Sequence, residues 1–220
     1  AHNWLETETS PELGISTYTY YPNGKQETSQ TGTDGSKTSF TYDKNGNPLT
    51  VTNSASTDGK IPAAATVTKT YTDNNQLHTE TNGIAGYTYT YDSNGNMLTS
   101  AYTYNGVSYP FVYTYDTNNS ISSITYPDGV KLNYAPNAFG QQTEVQRVDN
   151  SHTNLLLSNI TYNVYKKVAS YQFGGSFLEH TFDPTGRINE IISGTGTPVA
   201  PATKFVDLSY TYDGVNNVKT

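Results

Sequence analysis

A short segment recurs along this chain, in which alternating aromatic and polar residues lead into an acidic turn that contains glycine. Residues 87–99 read YTYTYDSNGNMLT, and residues 40–50 repeat the pattern as FTYDKNGNPLT. Alternation with period 2 places Tyr87, Tyr89 and Tyr91 on one face of a β-strand and the threonines on the other. The Asp that follows can accept hydrogen bonds from backbone N–H groups, and Asn-Gly supplies the positive φ of a tight turn. Each segment therefore predicts one strand–turn–strand element.

Further copies of this element follow along the chain, at steps of roughly 20 residues where no loop intervenes. An isolated hairpin is marginally stable in water, so such elements must pair side by side. The sequence therefore predicts an all-β fold of antiparallel β-hairpin repeats that form a curved, twisted sheet or partial spiral. The residues predicted to build its turns, with a structural role, are Tyr42, Asp43, Gly46, Tyr91, Asp92, Gly95, Tyr115, Asp116, Phe182, Asp183, Gly186, Tyr212 and Asp213.

The repeats extend over most of the chain, which predicts a short lead-in at residues 1–16 and one continuous repeat domain at residues 17–220. No stretch of helical length shows helical periodicity, and Gln141–Asp149 fits a strand better than a helix. Residues 53–65 form a long excursion between repeats. Residues 195–201, with two prolines and a glycine, are predicted to form a loop or linker.

Composition and charge exclude several classes of protein. The formal net charge is −7 and the 12 Lys and Arg residues are scattered, whereas nucleic-acid binding requires clustered basic residues. The chain has no Cys, which excludes disulfides and thiolate metal sites. No apolar run is long enough to span a bilayer, so we expect no membrane span.

No catalytic or metal-binding constellation emerges from the sequence. The four histidines, His2, His78, His152 and His180, are far apart and show no ligand spacing. The repeat aspartates recur at one turn position, which favours a structural role over a catalytic pair. We therefore expect a non-enzymatic protein with no cofactor and no metal.

The pattern Tyr-Asp-x-x-Gly-(Arg/Asn)-apolar resembles the RHS or YD repeat. Such repeats occur in bacterial polymorphic toxins, the cocoon-forming subunits of Tc insecticidal toxins, wall-associated bacterial proteins and teneurins. Tyr126-Pro127-Asp128-Gly129 also resembles the recurrent YPDG turn of that family, and the resemblance covers residues 17–218. It implies a long antiparallel sheet that, in long members, closes into a hollow shell around a cargo polypeptide.

The chain departs from that family in two respects. It offers only enough repeats for a fraction of a shell. The family's self-cleaving segment is not recognisable, because residues 183–186 match its DPxG motif but lie in register with the other repeat turns.

Two functional interpretations remain open. The resemblance implies a structural segment of a shell that encloses or presents a toxin or other cargo domain of a secreted protein. Its partners would be other repeats of the parent chain, a second copy joined through edge strands, or an enclosed toxin domain. Its location would be secreted or at the cell surface, as part of a larger exported protein.

The alternative is an extracellular module that binds carbohydrates or a cell surface, because exposed aromatic faces can stack on sugar rings. The competing interpretation is that these rings form the core, since other apolar residues are few. The candidate residues for glycan stacking are Tyr87, Tyr89, Tyr102, Tyr104 and Tyr113.

Overall fold

A computed structural model describes residues 3–12, 14–31, 34–150 and 152–219, and every helix or strand within them is a β-strand. The chain divides into two compact units, Ala1–Pro110 and Phe111–Thr220. His2 lies outside the described residues. Among the residues that the structure describes, no helix is long and apolar enough to cross a membrane.

Within its described residues, the first unit contains nine strands and the beginning of a tenth. They are β1 (Thr7–Ser10), β2 (Gly14–Tyr20), β3 (Gln26–Thr31), β4 (Lys37–Tyr42), β5 (Pro48–Asn53), β6 (Val67–Tyr71), β7 (Leu77–Thr81), β8 (Ala85–Tyr91), β9 (Met97–Tyr104) and the first residues of β10 (Val107–Tyr115).

The described part of the second unit contains the rest of β10 and eight further strands. These are β11 (Ile121–Thr125), β12 (Lys131–Pro136), β13 (Gln142–Asp149), β14 (His152–Tyr162), β15 (Val168–Phe173), β16 (Ser176–Phe182), β17 (Ile188–Thr197) and β18 (Ala200–Ser209).

Within each unit, successive strands pair in antiparallel fashion. In the first unit, Phe40 of β4 lies opposite Val51 of β5, and Tyr87 of β8 lies opposite Tyr102 of β9. The register shifts by a β-bulge immediately before a turn, for example between Thr90 and Tyr91. Bulges of this kind increase the local right-handed twist of a sheet.

The two faces of a strand differ in exposure as the period-2 pattern predicts. In β2, Tyr18 and Tyr20 are half-buried, whereas Thr17 and Thr19 are exposed. Among the described residues, only two apolar side chains are buried, Ile160 and Phe177, and both belong to the second unit. The tyrosine rings therefore bury much of the apolar surface that a conventional hydrophobic core would bury.

The all-β antiparallel hairpin fold is confirmed, as is the strand predicted near Gln141–Asp149. The predicted loop at residues 195–201 is wrong, because β17 and β18 extend into it and only residues 198–199 lie outside them. A register shift between Thr195 and Gly196 places a bulge there, and Gly196 has a φ of 88°. A bulge is where a sheet tolerates Gly and Pro. The separation of residues 1–16 from 17–220 stays a prediction.

Candidate functional site

The most regular feature of the structure is a five-residue turn that we call the corner. In every corner the first residue donates its backbone N–H to the carbonyl of the fifth, and the fourth donates to the carbonyl of the first, at 2.8–3.2 Å. The corners in the described part of the chain are residues 21–25, 43–47, 72–76, 92–96, 116–120, 126–130, 137–141, 163–167, 183–187 and 213–217. The corner at residues 126–130 follows β11, and the others follow even-numbered strands, so those of one unit lie along the same edge of its antiparallel ladder.

The carboxylate at the first corner position holds the turn closed. Asp43 Oδ1 accepts from the backbone N–H groups of Asn45 and Asn47, both at 2.8 Å, and Oδ2 accepts from Asn47 Nδ2 at 2.9 Å. Asp92 and Asp213 make the same three contacts with their own corner residues. One side chain thus satisfies backbone donors that would otherwise face water without a protein partner.

These hydrogen bonds stabilise the charged form of the carboxylate. The Asn47 side chain, together with backbone N–H groups of the corner, lowers the pKa of Asp43. At Asp183, desolvation would raise the pKa, but hydrogen bonds from Arg187 and Thr185 outweigh it and the pKa is lowered. In the carboxylates of Asp43 and Asp183, these hydrogen bonds therefore favour the charged form.

Asparagine replaces aspartate in two corners without loss of the backbone contacts. Asn137 Oδ1 accepts from Phe139 N at 2.9 Å and from Gln141 N at 3.1 Å. Asn163 Oδ1 accepts from Tyr165 N and Lys167 N at 2.9 and 3.0 Å. The corner therefore needs an acceptor oxygen at this position more than it needs a charge.

The fourth corner residue adopts a left-handed backbone, which favours Gly or Asn. Gly46 and Gly95 have φ values of 86° and 87°, and Asn75 has 60°. A side chain at Gly186 would also meet the ring of Tyr165, 2.8 Å from the ideal Cβ position. The neighbouring corner thus occupies the space that the glycine leaves free.

Tyrosine hydroxyls connect successive corners by bonds that we call tyrosine bridges. In each, the tyrosine just before one corner donates to the carbonyl of the residue just after the preceding corner. Four such bridges are Tyr71 to Pro48 (2.9 Å), Tyr91 to Leu77 (2.8 Å), Tyr162 to Gln142 (2.9 Å) and Tyr212 to Ile188 (2.6 Å). They join backbone segments 14–24 residues apart in sequence.

Side chains of neighbouring corners also contact one another. Asn75 Oδ1 accepts from Asn45 Nδ2 at 2.7 Å, and Gln76 Nε2 donates to the Gly95 carbonyl at 3.0 Å. In the second unit, Arg187 Nη1 donates to Asn216 Oδ1 at 2.7 Å, and its guanidinium lies 4.4 Å from the ring centre of Tyr212. These corners are therefore stabilised partly by side chains of their neighbours.

The face opposite the tyrosines carries paired hydroxyl groups, which sequence reasoning missed. Thr41 and Thr50 approach to 2.7 Å, and Thr90 and Thr99 to 2.6 Å. Equivalent pairs are Thr19–Thr28, Thr70–Thr79, Thr114–Ser123 and Thr161–Ser170. The signal was present as a nine-residue spacing between two hydroxyl residues, the first of them just before the tyrosine.

The structure brings together three of the five tyrosines considered for glycan stacking. Ring centres of Tyr87 and Tyr89 lie 6.0 Å apart, and those of Tyr87 and Tyr102 lie 5.1 Å apart. Tyr109, which was not predicted, joins them at 6.4 Å from Tyr102. We call Tyr87, Tyr89, Tyr102 and Tyr109 the tyrosine cluster.

The two remaining candidates lie apart from these ring pairs. Tyr104 is 49% exposed and Tyr113 is half-buried. Lys69 Nζ and Glu80 Oε2 form an ion pair at 3.2 Å, and Glu80 lies opposite Tyr87 of the tyrosine cluster in the sheet. The cluster therefore has polar and charged groups at its border.

No metal centre is present among residues 3–12, 14–31, 34–150 and 152–219, because no three His, Asp or Glu side chains there are grouped closely enough. His78 instead contacts the Tyr89 carbonyl through Nδ1 at 2.9 Å. His180 packs its ring against Phe182, with centres 6.4 Å apart.

Comparisons with known proteins agree with this geometry. Residues 20–58 match the family model described as RHS Repeat. No curated protein sequence matches significantly. Among solved structures, the crystal structure of TcdB2-TccC3-Cdc42 aligns with 96% of this chain at 16% identity and a TM-score of 0.80.

A second solved structure, the Photorhabdus luminescens Tc holotoxin pore, aligns with 97% of the chain at 16% identity and a TM-score of 0.81. The chain spans only 12% and 11%, respectively, of the lengths of these two proteins. At this level of identity the likeness concerns the fold. The chain therefore carries the RHS repeat at residues 20–58 and shares, over nearly all its length, the antiparallel β-fold of part of these Tc toxin proteins.

Proposed function

We propose that this chain is a non-enzymatic wall segment of an RHS shell that encloses or presents a toxin or other cargo domain of a secreted protein. The observation that carries the proposal is the series of tyrosine bridges. Each fixes one corner to the preceding one along the edge of the sheet. These hydrogen bonds fix the position of each hairpin relative to the next, as a continuous wall requires.

The RHS Repeat match and the Tc toxin neighbours support this function. The repeat aspartates are used at the same position of corner after corner, as a structural part would be. We place the protein outside the producing cell or at its surface, as part of a larger exported chain.

The wall function can be tested on the product of the complete reading frame that contains these residues. Limited proteolysis at increasing urea should release any neighbouring domain only where the sheet unfolds. Asp92→Ala should move this release to lower urea, whereas Asp92→Asn, which keeps the acceptor oxygen, should move it less. Cleavage of the neighbouring domain at the same rate in native and unfolded protein would refute the proposal, as would a reading frame without further repeats or a cargo domain.

Unpaired edges of such a sheet are expected to find partners, because edge strands present free N–H and C=O groups. We propose that they join other repeats of the parent chain or, in the isolated chain, a second copy. Analytical ultracentrifugation over a wide concentration range should then show oligomers. A monomer at every concentration would contradict self-association.

The tyrosine cluster supports a second function, the binding of carbohydrate on an extracellular surface. Tyr87 and Tyr109 remain 43% and 45% exposed although their rings contact Tyr102. The Lys69–Glu80 pair could hydrogen-bond the hydroxyl groups of a sugar stacked on these rings.

A glycan array probed with the isolated chain tests this second function. Tyr102→Ala removes the ring that contacts both exposed tyrosines and should abolish any binding. Val107→Ala is the matched control, because Val107 is 53% exposed but has no ring to stack on a sugar. Failure to bind any sugar, or equal binding by both variants, would rule out the cluster as a glycan site.

A further inference from the structure

The chain contains five Asn-Gly sequences, and each can lose ammonia by an internal reaction. They are Asn23-Gly24, Asn45-Gly46, Asn82-Gly83, Asn94-Gly95 and Asn105-Gly106. In this reaction the glycine nitrogen gives up its proton and attacks the Asn side-chain carbon. A C–N bond forms to close a succinimide ring, while the bond to the side-chain nitrogen breaks and ammonia leaves. Water then opens the ring to aspartate or isoaspartate.

In three of the five sequences, the corner itself restrains the attacking nitrogen. The N–H groups of Gly24, Gly46 and Gly95 donate to the carbonyls of the first corner residues at 2.9, 3.0 and 3.1 Å. A nitrogen held in this way points its proton at a carbonyl and must leave that bond before it can attack. These three sites are therefore protected by the repeat fold.

The fourth sequence is restrained twice. Gly83 N donates to Thr81 Oγ1 at 3.0 Å, and Asn82 Oδ1 accepts from Ile84 N and Ala85 N at 3.1 and 2.8 Å. Both the attacking nitrogen and the side-chain amide that it would attack are fixed.

Asn105-Gly106 differs from the other four. Both residues are exposed and form the two-residue turn between β9 and β10, with φ values of 46° and 79°. The Asn105 backbone N–H donates to the Ile84 carbonyl at 3.0 Å. Within the described residues, however, neither the Gly106 nitrogen nor the Asn105 side chain has a hydrogen-bond partner. The ideal Cβ position of Gly106 also lies in open space.

We propose that Asn105 is the site at which this protein deamidates spontaneously, with water as the only co-reactant. The other four Asn-Gly sequences contain the same reacting groups, but hydrogen bonds restrain their glycine nitrogens. The product carries one more negative charge. When it is isoaspartate, the main chain is also longer by one carbon in a turn of only two residues. Deamidation should therefore occur first in the turn between β9 and β10, the hairpin in which the rings of Tyr102 and Tyr109 contact each other.

The test follows all five sites by peptide mapping and mass spectrometry during incubation of the native chain at mildly alkaline pH. Asn105 should convert at least about fivefold faster than Asn45 or Asn94, the ratio that the net free energy of one hydrogen bond implies. In guanidinium chloride the five rates should become similar, because every site is then followed by an unrestrained glycine.

Asn105→Gly provides the matched variant, since Gly accepts the left-handed turn conformation. It should abolish the fast phase of ammonia release and leave the slow sites unchanged. The proposal is overturned if Asn45 or Asn94 converts as fast as Asn105 in the native protein. It is equally overturned if the order of rates survives unfolding, because the fold would then not be the cause.

Discussion

The first unit contains no fully buried apolar side chain among its described residues, whereas in the second unit Phe177 is 0% and Ile160 is 9% exposed. The strands of the first unit alternate Tyr with Thr, as in β8 with its sequence AGYTYTY. Strands of the second unit carry more aliphatic residues, as in β14 with HTNLLLSNITY. Both units nevertheless use the same corner, closed by the same two backbone hydrogen bonds.

The corners also differ in how they are reinforced. In the first unit, Asn47 donates to Asp43 as a neutral amide. In the second, the charged Arg187 takes that position, donates to Asp183 Oδ2 at 2.6 Å and covers the ring of Tyr212. The comparison shows that the repeat specifies the hydrogen bonds of the turn, whereas the side chains on the sheet faces differ between the two units.

The largest effect should come from truncating Phe177, the only aromatic side chain that is fully buried among the described residues. Phe177→Ala should lower the free energy of unfolding by about 3–5 kcal/mol, because it removes buried area and leaves a cavity. Urea denaturation followed by circular dichroism, with hydrogen exchange of the second unit's amides, measures the loss.

Phe139→Ala is the control for this prediction, because Phe139 belongs to the same unit and is 82% exposed. Its effect should stay within about 0.5 kcal/mol. Tyr89→Ala in the first unit should cost less than Phe177→Ala. An equal cost would show that the two units do not differ in the way that burial indicates.

Acidification should destabilise both units through their corner aspartates. The folded-state pKa values of Asp43, Asp92, Asp183 and Asp213 are lowered. The stability that they contribute is therefore fully present above the unfolded value of about 3.9 and is lost as the pH falls towards the folded values. Urea midpoints measured from neutral to strongly acid pH should decline in that window.

Asp92→Asn should flatten part of this decline, since the amide keeps the acceptor oxygen but does not titrate. The native corners at Asn137 and Asn163 show that the substitution is compatible with the turn. A pH profile unchanged by substituting the corner aspartates would contradict the assignment of the acid sensitivity to them.

Loss of one tyrosine bridge should have a smaller effect. Tyr91→Phe removes the hydroxyl that donates to the Leu77 carbonyl at 2.8 Å, and should cost about 1 kcal/mol. Tyr109→Phe serves as the control, because the Tyr109 hydroxyl has no hydrogen bond within the described residues. Phe182 already lacks this hydroxyl in the second unit, so Phe182→Tyr would reveal whether that unit can accept a further bridge.

The smallest effect is expected on the threonine face. Thr90→Val removes the hydroxyl that meets Thr99 at 2.6 Å and keeps the β-branched shape. A cross-strand pair of this kind contributes about 0.5 kcal/mol, so the urea midpoint should shift only slightly. A cost comparable to that of Phe177→Ala would show that the hydroxyl pairs, and not the rings, hold the first unit together.

Much of the local structure could be predicted from sequence, and the failures share one cause. Period-2 alternation predicted strands such as β8, and Gln142–Asp149 forms β13 as expected. The prolines and glycine at residues 195–201 predicted a loop because those residues weaken an isolated strand. In the sheet, pairing with β18 through a bulge accommodates them.

The candidate site was only partly predictable. The turn aspartates could be predicted as acceptors for backbone N–H groups, and the structure shows those contacts, for example at Asp43. Tyr109 was missed because Ser108 and Pro110, which flank it, interrupt the tyrosine–threonine alternation that drew attention to Tyr87 and Tyr89. Ring contacts such as Tyr102–Tyr109 depend on which residues of two strands stand opposite each other.

The sequence by itself determined the hairpins, because alternation, the acceptor side chain and the left-handed fourth residue all act within a few neighbouring positions. Only the tertiary structure decided which carbonyl receives each tyrosine hydroxyl and which Asn-Gly nitrogen stays free. Those contacts join residues from different hairpins or depend on how a turn is closed. They are therefore fixed by the register of the strands, to which residues distant in sequence contribute.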